Sequence, residues 1–293
     1  MKEVAILFGK FNSLVGIVTE PDRKSDFKPA IIILNTGIVH RVGPNRYAVE
    51  LARELAKKGH TVMRFDSSGI GDSKVRKDSL PFKKSAVEET REAMDYLQSN
   101  SNIDQFILMG ICSGGIISFK TAYHDNRVIS AILINTRMHL HGDNENIGNH
   151  LRDMMLSRHY WRIALFSSFS KKNWLKMLAG KINIKNIVNM MMINPVKQLS
   201  KRSKTRTVER RTEIGSELRK LNARGVRILH VYAEGDEGLD YMYAIFGKRL
   251  ESLARNGILE LEIVGGTNHT FTLLWSQERL FGVINDWLSS SCK

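Results

Sequence analysis

Short apolar runs recur along the chain, separated by polar and glycine-bearing stretches, and their periods alternate between two and about 3.6 residues. Residues 3–8 and 13–19 read as two short strands. Residues 30–35, AIIILN, form a continuous apolar run of the kind expected for a strand buried on both faces. Over residues 46–58, RYAVELARELAKK, Ala48, Leu51, Leu55 and Ala56 fall on one helical face, and Gly59 closes the helix. A strand at 61–65, a helix around 86–98, a strand at 105–109, a helix from about 113 and a strand at 128–134 follow. The pattern resumes near residue 226, with strands at 227–232 and 258–264 and helices at 239–256 and 275–289. Alternation of strand and helix predicts a largely parallel, doubly wound α/β sheet.

Residues 137–224 break that pattern. They are rich in Met, Asn, Lys and Arg and show helical spacing without a strong strand. We read them as a helical cap inserted between two strands of one sheet, leaving 1–136 and 225–293 as the α/β core. Residues 197–211, KQLSKRSKTRTVERR, read as a mobile or solvated basic segment. The 293 residues are 42% hydrophobic, which argues against wholesale disorder. Two cysteines exclude a disulfide framework and a four-cysteine zinc site. No stretch approaches the roughly 18 apolar residues of a membrane span. The N-terminal runs, interrupted by Lys10, Asn12 and Glu20, read as strands rather than a signal peptide. A cytoplasmic location is the resulting expectation, with Cys112 and Cys292 reduced.

The formal charge of +14 changes the picture only locally. Residues 137–224 hold 19 Lys+Arg against 6 Asp+Glu, whereas the rest of the chain holds 25 against 24. No nucleic-acid reading element accompanies this surplus, so nucleic acid is not an expected partner. Two readings stand: a solvated basic surface, or a cationic entrance that steers anionic substrates or an acidic carrier protein. The Met and aromatic residues of the same region, among them Trp161, Phe166, Trp174 and Met190, fit either an acyl tunnel or the cap's own core.

Chemistry concentrates in QFILMGICSGGIISFKTAY. A strand ends at Met109, the pentapeptide Gly110-Ile111-Cys112-Ser113-Gly114 follows, and a helix begins at once. That is the setting of a nucleophile elbow, whose sharp turn requires tiny residues two positions either side of the nucleophile. Centring on Cys112 satisfies this; centring on Ser113 would put the bulky Ile111 at a flank. The helix N-terminus favours a thiolate and a developing oxyanion. Ser113 is expected to lend its backbone N–H to the oxyanion hole. The competing reading makes Cys112 a buried, inert small residue. After strand 227–232, Asp236 lies in AEGDEG, with Glu234 and Asp240 as substitutes; after strand 258–264, His269 lies in GGTNHTFT. Asp236 would orient His269, which would draw the proton from Cys112.

The loop after AIIILN is expected to supply a second oxyanion donor, from Gly37 or the adjacent Thr36 or Ile38. It also carries His40, Arg41 and Arg46, which fit two roles: a clamp for a substrate carboxylate or phosphate, or a pin holding the loop against Asp66 or Asp72. No phosphate-binding lysine motif is present. His139, His141 and His150 lack the carboxylate or cysteine partners of a metal site, so neither metal nor cofactor is expected.

Through 35–73, the cysteine elbow, YWRIALFSSFSKKNWLKMLAGKINI, YAEGDEGLD and NHTFT, the chain resembles the α/β-hydrolase superfamily over almost its full length. More narrowly it looks like hydrolases associated with exosortase and exopolysaccharide gene clusters. Its glycine-rich cysteine elbow is also similar, over about ten residues, to that of polyhydroxyalkanoate synthases. The resemblance implies an α/β-hydrolase fold with an inserted cap and a Cys112–His269–Asp236 triad. Because a thiolate forms a transferable thioester, the leading expectation is an acyl hydrolase or acyltransferase acting on an acyl-CoA or acyl-carrier-protein thioester. A carboxylesterase or lactonase of polysaccharide metabolism is the second, and a catalytically silent binding module the third.

Overall fold

The computed structural model describes residues 1–23, 28–78, 80–138, 202–247 and 249–290. Its strands are β1 (Lys2–Phe8), β2 (Leu14–Glu20), β3 (Ala30–Ile33), β4 (Val62–Asp66), β5 (Phe106–Ile111), β6 (Val128–Ile134), β7 (Arg227–Ala233) and β8 (Glu260–Val264). They form one sheet in the order β1-β2-β4-β3-β5-β6-β7-β8. β1 pairs with β2, and β2 with β4, in antiparallel fashion; every other pairing is parallel. The α/β reading of the apolar runs therefore holds.

Alternation along the central strands sends side chains to two separate cores, as the period of two requires. Ile31, Ile33, Ile107, Met109 and Ile132 face α1 (Tyr47–Lys57) and α7 (Leu274–Ser290), where Leu51, Leu55, Ile284 and Trp287 meet them. Ile32, Phe106, Leu108 and Leu133 face the opposite layer with Met94, Leu97 and Phe119. Those residues come from α2 (Phe82–Ser101) and α3 (Ser113–His124). Burial on both faces is why the central runs contain no alternating polar positions.

One expectation needs correction. The single helix expected over 239–256 is broken into α5 (Glu237–Phe246) and α6 (Arg249–Arg255). Gly247, at φ 53°, ends the first helix in a conformation open to glycine. Residues 202–223 form one helix, α4 (Arg202–Ala223), whose Ile214, Leu218 and Leu221 are buried in the same core as Phe119. Arg224 just beyond it donates to the carbonyls of Ala122 and Asp125 at the end of α3, at 2.9 and 3.1 Å. Parallel neighbours such as β6 and β7 need a crossover connection, and α4 forms part of it. Its stripe at spacings of four and three was masked by the charged residues around it. Part of the basic stretch 197–211 thus lies within a helix. The rest of the expected cap, residues 139–201, lies outside the described residues. So do its three histidines and its Met and aromatic positions.

The order β4-β3-β5 marks the place where the chain, having gone one way from β3, turns back to the other side. In open α/β sheets the crevice beyond the carboxyl ends of such strands is where ligands bind. The loops after β3 and β5 both open there.

Candidate active site

β5 runs directly into α3 through Cys112, whose backbone sits at φ 57°, ψ −115°. Conformations of this kind cost a non-glycine residue on the order of 1–3 kcal/mol and persist only when the surroundings enforce them. The enforcement is visible. Cys112 N–H donates to the Ile134 carbonyl at 2.9 Å, tying the turn to β6. A Cβ on Gly110 would lie 2.6 Å from the Gly114 carbonyl carbon, and one on Gly114 would lie 2.7 Å from the Asn35 carbonyl oxygen. Gly110 thus abuts the backbone of Gly114, and Gly114 abuts the backbone that follows β3. Gly110→Ala should accordingly destabilise the fold by about 3 kcal/mol as overpacking against backbone. At roughly 2–4 °C per kcal/mol for a chain of this size, thermal unfolding should show a Tm lower by about 6–12 °C.

His269 lies in the loop between β8 and α7, and Phe271, fully buried two residues later, anchors that loop. The Nδ1 of His269 is 2.6 Å from Oδ2 of Asp236. Asp236 follows β7 and caps α5, its Oδ1 accepting from Gly238 N–H at 2.8 Å. One carboxylate oxygen therefore holds the helix and the other holds the imidazole, which fixes the side chain's orientation. Glu234 instead accepts from Gly266 N–H, at 3.4 Å, so among the three candidate acids only Asp236 has a bond to His269. The Asp236 carboxylate, followed by the Cys112 sulfur, favours the imidazolium and pushes the His269 pKa up to about 10 against the opposing effect of burial. Cys112, His269 and Asp236 thus come together from three loops at the same end of the sheet.

Gly37 and Ser113 also meet, though not as expected. Gly37 N–H donates to the Ser113 side-chain Oγ at 2.8 Å, so this amide is engaged rather than open. The backbone N–H of Ser113 and that of Ile38 have no protein acceptor among the described residues.

Of the two roles read for the loop, Arg41 shows the contacts of the pin. Its guanidinium pairs with the buried Asp66 and, at 2.7 Å, with Asp72, while its backbone N–H donates to Asp66 at 2.5 Å. These contacts join the loops after β3 and β4. Arg46 lies along the helix surface, 3.4 Å from Glu50 one turn on. His40 is exposed in the same loop, its Nδ1 3.5 Å from Val42 N–H.

Two residues that sequence reasoning passed over hold these loops. Asn35 accepts from Ser67 N–H at 2.9 Å and donates to the Val39 carbonyl at 3.0 Å. Asn135 accepts from Ala233 N–H at 2.7 Å and donates to the His269 carbonyl at 2.8 Å. Each asparagine ends a buried strand and bridges two loops, one set around Gly37 and the other around His269. The signal was present: IIILNT and AILINT repeat the same apolar run followed by Asn-Thr. A residue with both donor and acceptor at such a point satisfies two backbone groups at once.

A nucleophile-type turn after a central strand, with an acid and a histidine on later loops, is the arrangement of an α/β-hydrolase. The family model for the alpha/beta hydrolase fold matches residues 29–182, and the chain belongs to that family. Among solved structures, the α/β hydrolase GrgF of Penicillium superposes with a TM-score of 0.57 at 17% identity, covering 99% of this chain and 97% of its own. An esterase of Pyrococcus furiosus gives 0.57 at 12% identity, over 99% and 91% of the two chains. A thermophilic esterase from Thermogutta terrifontis gives 0.52 at 14%, over 99% of each. Identities this low speak to the fold. No curated protein sequence matches the chain. No helix among the described residues is long and apolar enough to cross a membrane, and those residues contain no cluster suited to a metal ion.

Proposed function

We propose that this α/β-hydrolase works through an acyl-cysteine intermediate, with Cys112 as nucleophile, His269 as proton carrier and Asp236 as its orienting acid. The observation that carries the reading is the 2.6 Å His269–Asp236 pair, with Cys112 on its strained turn as the second group favouring the imidazolium. The Cys112 thiolate attacks the acyl carbonyl carbon, and the carbonyl π pair moves onto oxygen. Collapse of the tetrahedral species expels the leaving group, which takes its proton from His269. A water, alcohol or thiol then gives a proton to His269 and attacks the acyl-cysteine, and Cys112 departs as thiolate.

The donor we favour is an acyl thioester on an anionic carrier, either coenzyme A or an acidic acyl carrier protein. A thiolate exchanges with a thioester at little thermodynamic cost, and the basic surplus of residues 137–224 suits an anionic carrier. Solved relatives of this fold that are named as esterases support a second reading, a carboxylesterase or lactonase acting on oxygen esters.

Intact-mass analysis separates these possibilities. The chain is incubated with acyl-CoA thioesters from acetyl to palmitoyl and with the matching 4-nitrophenyl esters. An acyl adduct on Cys112, formed faster from the thioesters, is the expected result. Faster acylation and turnover with the oxygen esters would select the esterase reading, and turnover undiminished in Cys112→Ala would refute the nucleophile.

A further inference from the structure

We propose that the hydroxyl of Ser113 is itself an oxyanion donor, relaying the Gly37 amide to the acyl oxygen. The inference rests on the acyl-cysteine reading above and assigns a further residue to that reaction. Gly37 N–H occupies a lone pair of Ser113 Oγ at 2.8 Å. The single hydroxyl proton of Ser113 then has no acceptor among the described residues, and the side chain is only half-buried. Ser113 is the first residue of α3, next to Cys112, so its backbone N–H and its hydroxyl both originate beside the sulfur. Among the described residues nothing lies within 4 Å of where Gly37 would carry a Cβ, leaving room next to the pair for an acyl group.

A hydroxyl that accepts a hydrogen bond becomes a better donor, because the chain of dipoles is polarised in one direction. When Cys112 adds to a carbonyl, the negative charge gathers on the carbonyl oxygen. Ser113 then offers it two donors, the backbone N–H and the polarised O–H. Gly37 N–H stands behind the hydroxyl, one hydrogen-bond length further from that oxygen. It cannot take over directly when the hydroxyl is removed.

The test compares Ser113→Ala with Ser113→Thr, which keeps the hydroxyl, on whichever 4-nitrophenyl ester or acyl-CoA the wild type turns over fastest. Loss of one oxyanion donor lowers turnover on the order of 10²-fold or more. Ser113→Ala should show that fall in kcat with KM little changed, and Ser113→Thr should restore most of it. Inhibition by the corresponding acyl aldehyde, whose adduct with Cys112 carries the same developing oxygen charge, should weaken in proportion. Alkylation of Cys112 by iodoacetamide creates no oxyanion, and its rate should stay the same. A Ser113→Ala enzyme as fast as wild type, or faster, overturns the proposal, since the hydroxyl would then only obstruct the Gly37 amide. An aldehyde affinity unaffected by the substitution overturns it equally. A wild type that forms no adduct on Cys112, judged against Cys112→Ala, refutes the underlying acyl-cysteine reading instead.

Discussion

Cys112→Ala is expected to abolish turnover, by on the order of 10⁵-fold or more, as removal of a nucleophile does when the rest of the site is intact. The fold should survive, because the strained turn is imposed by the contact of Gly110 with Gly114 and by the bond from Cys112 N–H to β6. Circular dichroism and thermal unfolding should therefore stay close to wild type while the acyl adduct disappears from the mass spectrum. Cys112→Ser is the more searching variant. A serine must lose its proton to a neutral imidazole, yet Asp236, the strongest influence on His269, holds that ring protonated well above its ordinary range. The serine enzyme should remain far below wild type near neutral pH. Full activity of Cys112→Ala, measured on the best wild-type substrate, would remove Cys112 from the mechanism, whereas full activity of Cys112→Ser would show that the ring is neutral enough to take a serine proton.

The second large effect belongs to Asp236→Asn. An amide cannot stabilise the imidazolium and permits the wrong tautomer, which in acid–histidine pairs of this kind lowers kcat by roughly 10³–10⁴-fold. The cap of α5 should be retained, since asparagine offers an oxygen to Gly238 N–H as aspartate does. The same variant carries a pH signature. The His269 pKa is raised in the folded state from its ordinary 6.5 to about 10, so its contribution to stability is complete below about pH 6.5. That contribution is lost as pH rises through 10. Removing the first cause of the shift should make the Tm difference between wild type and Asp236→Asn largest near pH 6. Thermal unfolding across pH 6 to 10 should show the difference shrinking; a constant gap would mean that the pair is not what stabilises the imidazolium.

Much of the fold and the candidate site was legible because the relevant constraints are local. A strand buried on both faces must be largely apolar, and residues 30–34 and 128–134, with Ser130 the one polar residue among them, are. An elbow needs glycine two positions either side, and Gly110 and Gly114 fall there. Asp236 and His269 were legible because each lies within five residues of a strand's carboxyl end. Where the sequence misled, composition hid geometry. The composition of α4 is dominated by charged residues, yet Ile214, Leu218 and Leu221 place it against the core. Asn35 and Asn135 looked like ordinary loop residues because their partners are spread across other loops.

From local periodicity and glycine placement alone, the order of elements, the elbow and the chain positions of an acid and a histidine follow, since each depends on residues within a turn or two. The tertiary structure alone decided which polar groups those loops satisfy. Gly37 N–H turns to the Ser113 hydroxyl, 76 residues away, and Arg41 pairs with Asp66, 25 residues away. Buried or half-buried donors and acceptors accept whichever partner the sheet order brings within reach. That order is set by the packing of the whole chain, and no single segment encodes it.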